Sequence, residues 1–317
     1  MKHIFVINPV AGKGKAQELV QPKIEACCAQ EGLDYEIHVT TGPYAAIDFV
    51  RGRAAQTPEE QLRFYACGGD GTIYEVVNGM WDAPNAEFAA VPLGSGNDFI
   101  RLFGDKALFL ELENVIHGSS IALDVIRCGD QIAVNQCSMG FDAEVCAKQG
   151  DYKHLPLLSG EGAYIAAVFD RFTKKIGHDF EIEIDGQRVD NGKTLLCVCG
   201  NSRWYGGGFM AAPRAMPNDG LLDFVMVRKA GNRFKLAPLF MKLRNGQHLD
   251  LPITTFLRGR KMTIRCDVPS AVNVDGETKY VREAAFELLE NAIRFVLPVN
   301  TTFHRVRAEW ERAEAIK

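Results

Sequence analysis

Three short stretches of this chain combine glycine with amide, hydroxyl or carboxylate side chains, which is what binding a phosphate chain and its cation requires. The first is Asn8-Pro9-Val10-Ala11-Gly12-Lys13-Gly14-Lys15. Its glycines let the backbone curl closely round an anion and its lysines supply charge. The GxxxxGK[ST] spacing of a Walker loop is absent. The second is Gly68-Gly69-Asp70-Gly71-Thr72. Here a tight turn meets a carboxylate able to organise a cation or its waters, and Thr72 either caps a helix beginning near Ile73 or donates to phosphate. The third, Pro92-Leu93-Gly94-Ser95-Gly96-Asn97-Asp98-Phe99, is again small and polar, and its Asp98 is expected to meet Asp70 at a sheet edge. A GKGK stretch alone is as often a solvated turn, and a Gly-Asp turn with a threonine cap arises by chance. Three such loops in succession weigh against chance.

Two further carboxylate groups lie downstream. Pro217-Asn218-Asp219-Gly220-Leu221-Leu222-Asp223 and Asn273-Val274-Asp275-Gly276-Glu277 each contain Asp-Gly, the commonest hairpin signal, so each also reads as an ordinary turn. Asp70, Asp98, Asp219 and Glu277 together form the carboxylate set that a hard cation needs. Asp275 and Glu277, two apart, would share a face of a strand, but the intervening glycine suggests a turn. Which of them accepts a proton and which supports a cation stays open at this level, with Asp275 slightly preferred.

The elements that must position these residues alternate in the first third. His3–Ile7, Tyr35–Val39 and Leu62–Cys67 are strand-like, while 15–30 and Ala45–Ala55 suit helices. Such alternation predicts a parallel sheet covered by helices, with ligands bound beyond the carboxyl ends of its strands. After about residue 122 the texture becomes β, as in Phe180–Ile184 running into Asp185-Gly186, a two-residue hairpin signal. Helical patterns interrupt it at 161–174 and near 233–245. The expected domains are therefore 1–122, an α/β domain with a parallel sheet, and 123–298, a mostly β domain. A helical tail, 299–317, is expected to pack back on the first.

Composition sets outer bounds. With 317 residues, 47% hydrophobic and 24% charged, the chain is an ordinary globular one of a size that favours two domains. A net charge of -4 argues against a nucleic-acid partner. No apolar run is long enough to span a membrane, and Asn8-Pro9 cuts short the apolar start that a signal peptide would need. Nine cysteines without a CxxC pair read as free thiols of a cytoplasmic protein rather than a disulfide or zinc framework. From Arg228 to Arg265 ten basic residues face one acidic residue, Asp250. That local excess predicts peripheral docking on an anionic membrane surface.

In these motifs the chain resembles the diacylglycerol kinase catalytic-domain family, which includes sphingosine kinases and bacterial lipid kinases. The resemblance rests on Asn8 to Gly12, Gly68 to Thr72 with Glu75-Val76-Val77-Asn78-Gly79, Gly94 to Phe99, and Asn273 to Glu277, in that order over almost the whole chain. It implies a nucleotide-binding α/β domain and a β-sandwich-like domain with the active site between them, ATP as phosphoryl donor, Mg2+, and a membrane lipid, most often diacylglycerol, as acceptor. Sphingoid bases, phosphatidylglycerol and polyprenols are the alternative acceptors. NAD kinase, which shares the Gly-Gly-Asp-Gly-Thr loop, and a non-catalytic binding protein are the rival classes. By the same resemblance, nucleotide contacts fall on Asn8, Pro9, Gly12, Thr40, Gly68, Gly69, Asp70, Gly71, Thr72, Glu75, Ser95 and Asn97, although on spacing alone Thr41 offers its hydroxyl as well as Thr40 does. Catalysis falls on Asp70, Asp275 and Glu277. A structural magnesium falls on Asp219 with the backbone carbonyls of Met216 and Leu221, while Asp98 and Glu277 complete the metal set. Tyr74, Ser95 and Ile100 depart from the family's usual asparagine, threonine and alanine. An exposed edge strand in the second domain would support a homodimer.

Overall fold

The computed structural model describes residues 1–152, 177–189, 192–229 and 236–315. The helical expectation at 161–174 and the start of the one near 233–245 lie outside these residues. Contacts divide the chain into two units: Met1–Asp124 with Glu290–Lys317, and Val125–Leu289.

In the first unit β1 (Lys2–Ile7), β2 (Tyr35–Val39), β3 (Leu62–Gly68) and β4 (Ala86–Pro92) alternate with α1 (Ala11–Gly14, a single turn), α2 (Ala16–Glu31), α3 (Ala45–Gln56) and α4 (Asp70–Met80). All strand pairs are parallel, in the order β4-β3-β1-β2. Every residue of β3 and β4 is buried, as expected for parallel strands covered by helices on both faces. The registers align the strand ends, with Ile7 opposite both Val39 and Cys67, and Gly68 opposite Pro92. The loops that follow these strands therefore leave from one edge.

Two short helices, α5 (Lys106–Leu110) and α6 (Leu112–Ile116), follow β4. The last strand of the chain, β15 (Glu277–Leu297), brings Phe295 into parallel pairing with Phe88 of β4. Phe88, Phe99, Phe103 and Phe295 pack with ring centroids 4.7–5.8 Å apart. The C-terminal helix, which begins at Phe303, sets that ring 5.0 Å from Phe103.

The second unit begins within β5 (Ser119–Cys128) and continues through β6 (Gln131–Ala133), β7 (Gln136–Gly140), α7 (Phe141–Tyr152), β8 (His178–Asp179), β9 (Glu181–Ile184), β10 (Gln187–Val189) and β11 (Lys193–Gly200). Then come β12 (Leu222–Arg228), α8 (Leu236–Arg244), β13 (Thr254–Gly259) and β14 (Lys261–Val274). Its pairing is antiparallel, in the order β13-β12-β11-β7-β14. β9 and β10 form the hairpin expected from Asp185-Gly186, both at positive φ as a type I′ turn requires. Phe141, Val145, Val198, Val225, Leu239 and Leu243 share one core beneath α7 and α8.

Candidate functional site

All twelve nucleotide-contact candidates lie in the first unit, on or beside the loops at the carboxyl ends of β1 to β4. These loops are tied to one another. Gly12 N–H donates to the Leu93 carbonyl at 3.0 Å, and Asn8 N–H to the Cys67 carbonyl at 3.1 Å. The Asn8 amide donates to the Thr72 hydroxyl at 3.1 Å, so Thr72 serves the first loop. It makes no side-chain cap, and the helix it was expected to open begins earlier, at Asp70. Gly69 and Gly94 meet backbone to backbone: a Cβ on Gly94 would lie 2.5 Å from the Gly69 Cα. Asn97, held at positive φ, donates its amide to the Gly94 carbonyl at 2.6 Å. Thr40 N–H extends the β1 ladder by donating to the Ile7 carbonyl, and Glu75 accepts the Ala46 N–H at the start of α3. Pro9 follows β1 directly, while Gly71 and Ser95 are exposed at the same edge.

Asp98 meets Asp70 there through its backbone and not through its carboxylate. The Asp70 Oδ1 accepts the N–H groups of Asp98 at 2.8 Å and Phe99 at 3.4 Å. Burial raises the Asp70 carboxyl above the usual range, and these amides pull it back toward the charged form. Asp98 turns its carboxylate to Arg101, 3.0 Å away.

The second unit holds the remaining candidates. Asp275 and Gly276, both at positive φ, turn β14 into β15 so that Val274 faces Glu277. Both Asp275 carboxylate oxygens are taken by three consecutive amides. Val134 N–H donates to Oδ2 at 2.6 Å, Gln136 N–H to Oδ1 at 2.8 Å, and Asn135 N–H to both. Asn273 Oδ1 accepts the Gly276 N–H at 2.8 Å and closes the turn. Glu277, half-buried, is the first residue of β15.

In the 216–223 segment, Asp219 accepts the Leu221 N–H on Oδ1 at 3.0 Å and pairs through Oδ2 with Arg258. The Arg258 Nε donates to Asp223 Oδ1 at 2.9 Å. The Met216 carbonyl accepts the Asn218 N–H at 2.9 Å. Burial lifts the Asp223 carboxyl to about 7 against the pull of Arg258.

This geometry can be set beside known proteins. Residues 2–128 match the family model of the diacylglycerol kinase catalytic domain, and 135–297 that of the YegS C-terminal NAD kinase beta sandwich-like domain. A Shewanella frigidimarina protein named "Probable lipid kinase YegS-like" is 30% identical over 86% of this chain and 87% of its own. The chain belongs to the diacylglycerol kinase catalytic-domain family. It is a lipid kinase. A diacylglycerol kinase of Bacillus subtilis is 26% identical over 93% of this chain and 95% of its own. A crystal structure of a diacylglycerol kinase from Bacillus anthracis shares the fold, with a TM-score of 0.72 at 21% identity over 94% and 97% of the two chains.

For a lipid kinase of this family magnesium is expected at two places, and the side chains answer differently. Asp70, steadied by two amides at the start of α4, suits a hydrated cation beside a phosphate chain. The Asp219 set fits poorly, because the Arg258 guanidinium already sits on Asp219 and Asp223 and would face a dication bound there. Among the described residues no three His, Cys, Asp or Glu side chains come together as a metal cluster.

Sequence reasoning missed Arg258 as a partner of Asp219, and counted it with the membrane-facing basic residues. It also missed Asn273 as the residue that closes the Asp275 turn. Asn273 lies inside a recognised motif and was within reach, whereas nothing local ties Arg258 to Asp219. Tyr74 and Ile100, two of the departures from the family pattern, are both buried in the core.

Proposed function

We propose that this lipid kinase transfers the γ-phosphoryl group of ATP to the hydroxyl of a membrane diacylglycerol, giving phosphatidic acid and ADP. The observation that carries the nucleotide half is the tying of loops 8–15, 69–72 and 93–98 at one sheet edge around Asp70. Backbone N–H groups there can hold a triphosphate. The acceptor follows from relatives named diacylglycerol kinase that align over more than nine-tenths of the chain.

The acceptor hydroxyl oxygen bonds to the γ-phosphorus as the bond to the β,γ-bridging oxygen breaks, and its proton must go to a base. Asp275 has both oxygens committed to Val134, Asn135 and Gln136. We therefore assign proton acceptance to Glu277 and a positioning role to Asp275. Magnesium, bound with the triphosphate, supplies neutralisation of the phosphate charge, and Asp70 is the residue that would orient it.

Docking on the bilayer is assigned to α8, where Leu239 and Leu243 are buried and Met241, Lys242 and Arg244 are exposed. The basic surface is narrower than the sequence count suggests. Arg258, Lys261 and Arg265 are ion-paired with Asp219, Glu287 and Glu283, and Arg233 and Lys235 lie outside the described residues. A homodimer would use β13, an edge strand of the second unit.

The deciding experiment is a lipid panel with radiolabelled ATP and the purified protein, Asp70→Ala serving as the blank. Labelled phosphatidic acid formed by the parent and not by Asp70→Ala is expected. Label on a sphingoid base, phosphatidylglycerol or a polyprenol alone would replace the acceptor.

A further inference from the structure

The loop expected to hold a structural magnesium already has a cation set against it. Asp223 and Arg258 are direct cross-strand partners in the pairing of β12 with β13, so the backbone register itself brings the guanidinium to this place. From there its Nε reaches Asp223 and its Nη2 reaches Asp219. The side chains are 0%, 9% and 18% exposed for Asp223, Asp219 and Arg258, so water does little to screen the three. A second guanidinium, Arg214, lies 4.8 Å above the Phe256 ring, two residues before Arg258 on β13. Its charge also favours the ionised form of Asp223.

We propose that the Arg258 guanidinium takes the place of the family's structural magnesium in this chain, so that the 216–223 segment folds without a divalent cation. An arginine is permanently charged and its planar fork can bridge two carboxylates, which a hydrated metal ion otherwise does. Magnesium would need near-octahedral oxygen ligands at about 2.1 Å. A magnesium ion on Asp219 would sit beside the Arg258 guanidinium, placing two cations together in a buried site.

The test uses the full chain without nucleotide or lipid, so its outcome is independent of the acceptor assignment. Thermal unfolding is followed in EDTA and in millimolar MgCl2, and Mn2+ binding is titrated by electron paramagnetic resonance. Equal Tm values are expected, with no Mn2+ site that Asp219→Asn removes. Binding that survives Asp219→Asn lies elsewhere and agrees with the proposal. Arg258→Ala, with its aspartates uncovered, is expected to become magnesium-dependent, its Tm rising by several degrees on adding the metal. If that variant does not fold, the parent measurements decide alone. A Tm of the parent raised by magnesium through a site lost in Asp219→Asn would overturn the substitution.

Discussion

Asp275 and Glu277 show how a residue's chemistry depends on what its oxygens already do. Both are carboxylates of one motif, and spacing alone did not separate them. The proposed roles separate them by the three amides that a segment some 140 residues away donates to Asp275. Glu277→Gln is expected to lower kcat by about 10² or more while the KM for ATP stays near its parent value. Asp275→Asn should also lower kcat, but together with Tm, since it loosens the turn. A Glu277→Gln enzyme with near-normal kcat would return the base to Asp275. Asp142, which no functional reading singled out, permits a pH test. Burial raises its carboxyl from 3.8 to about 6, against the pull of Ser138 and neighbouring amides. Between those values the folded chain holds a proton that the unfolded chain has lost, so stability falls as pH rises and the penalty is complete above the folded value. Asp142→Asn should therefore be more stable than the parent at about pH 8, by up to about 3 kcal/mol, the advantage vanishing near pH 4 in urea titrations.

At the scale of elements, local periodicity was enough to place β1, β2, β3, α2 and α3 within a residue or two, because each buries a face that alternation or helical spacing reveals. The role of the loop glycines was not readable that way. They suggested tight turns, yet Gly68, Gly69 and Gly94 are absent from the positive-φ residues. What requires glycine at 69 and 94 is two backbones in contact, a relation between loops 25 residues apart. Gly94→Ala should cost about 1–3 kcal/mol in urea unfolding and raise the KM for ATP, because the loops must part. Gly71→Ala meets nothing within 4 Å, so stability should hold. Any rise in its KM for ATP then reports a phosphate lying close to that backbone. The α8 assignment is tested in the same spirit. Lys242→Glu with Arg244→Glu should weaken binding to anionic vesicles and activity on vesicle-borne lipid, but spare a short-chain soluble acceptor. Unchanged vesicle binding would remove this helix from the docking surface.

At the scale of the whole molecule the first unit is made from both ends of the chain, Met1–Asp124 and Glu290–Lys317, and takes in the end of β15 as well as the C-terminal helix. Alternation and turn signals describe neighbours, so the pairing of that strand end with β4 was not legible in them. Phe295 pairs with Phe88 on β4, and the C-terminal helix adds Phe303 to the ring cluster with Phe99 and Phe103. Phe303 is 1% exposed, so its ring contributes as a core residue rather than a tail residue. Truncating it removes both its transfer free energy and the packing around the void it leaves. Phe303→Ala should lower stability by about 3–5 kcal/mol in urea unfolding. Arg307→Ala, on the same helix, breaks only an exposed pair with Glu311 and should change stability by less than about 0.5 kcal/mol. If the two variants lose equally little, the helix is an appendage and the first unit is complete without it; a large difference between them makes the returning chain part of that unit's core.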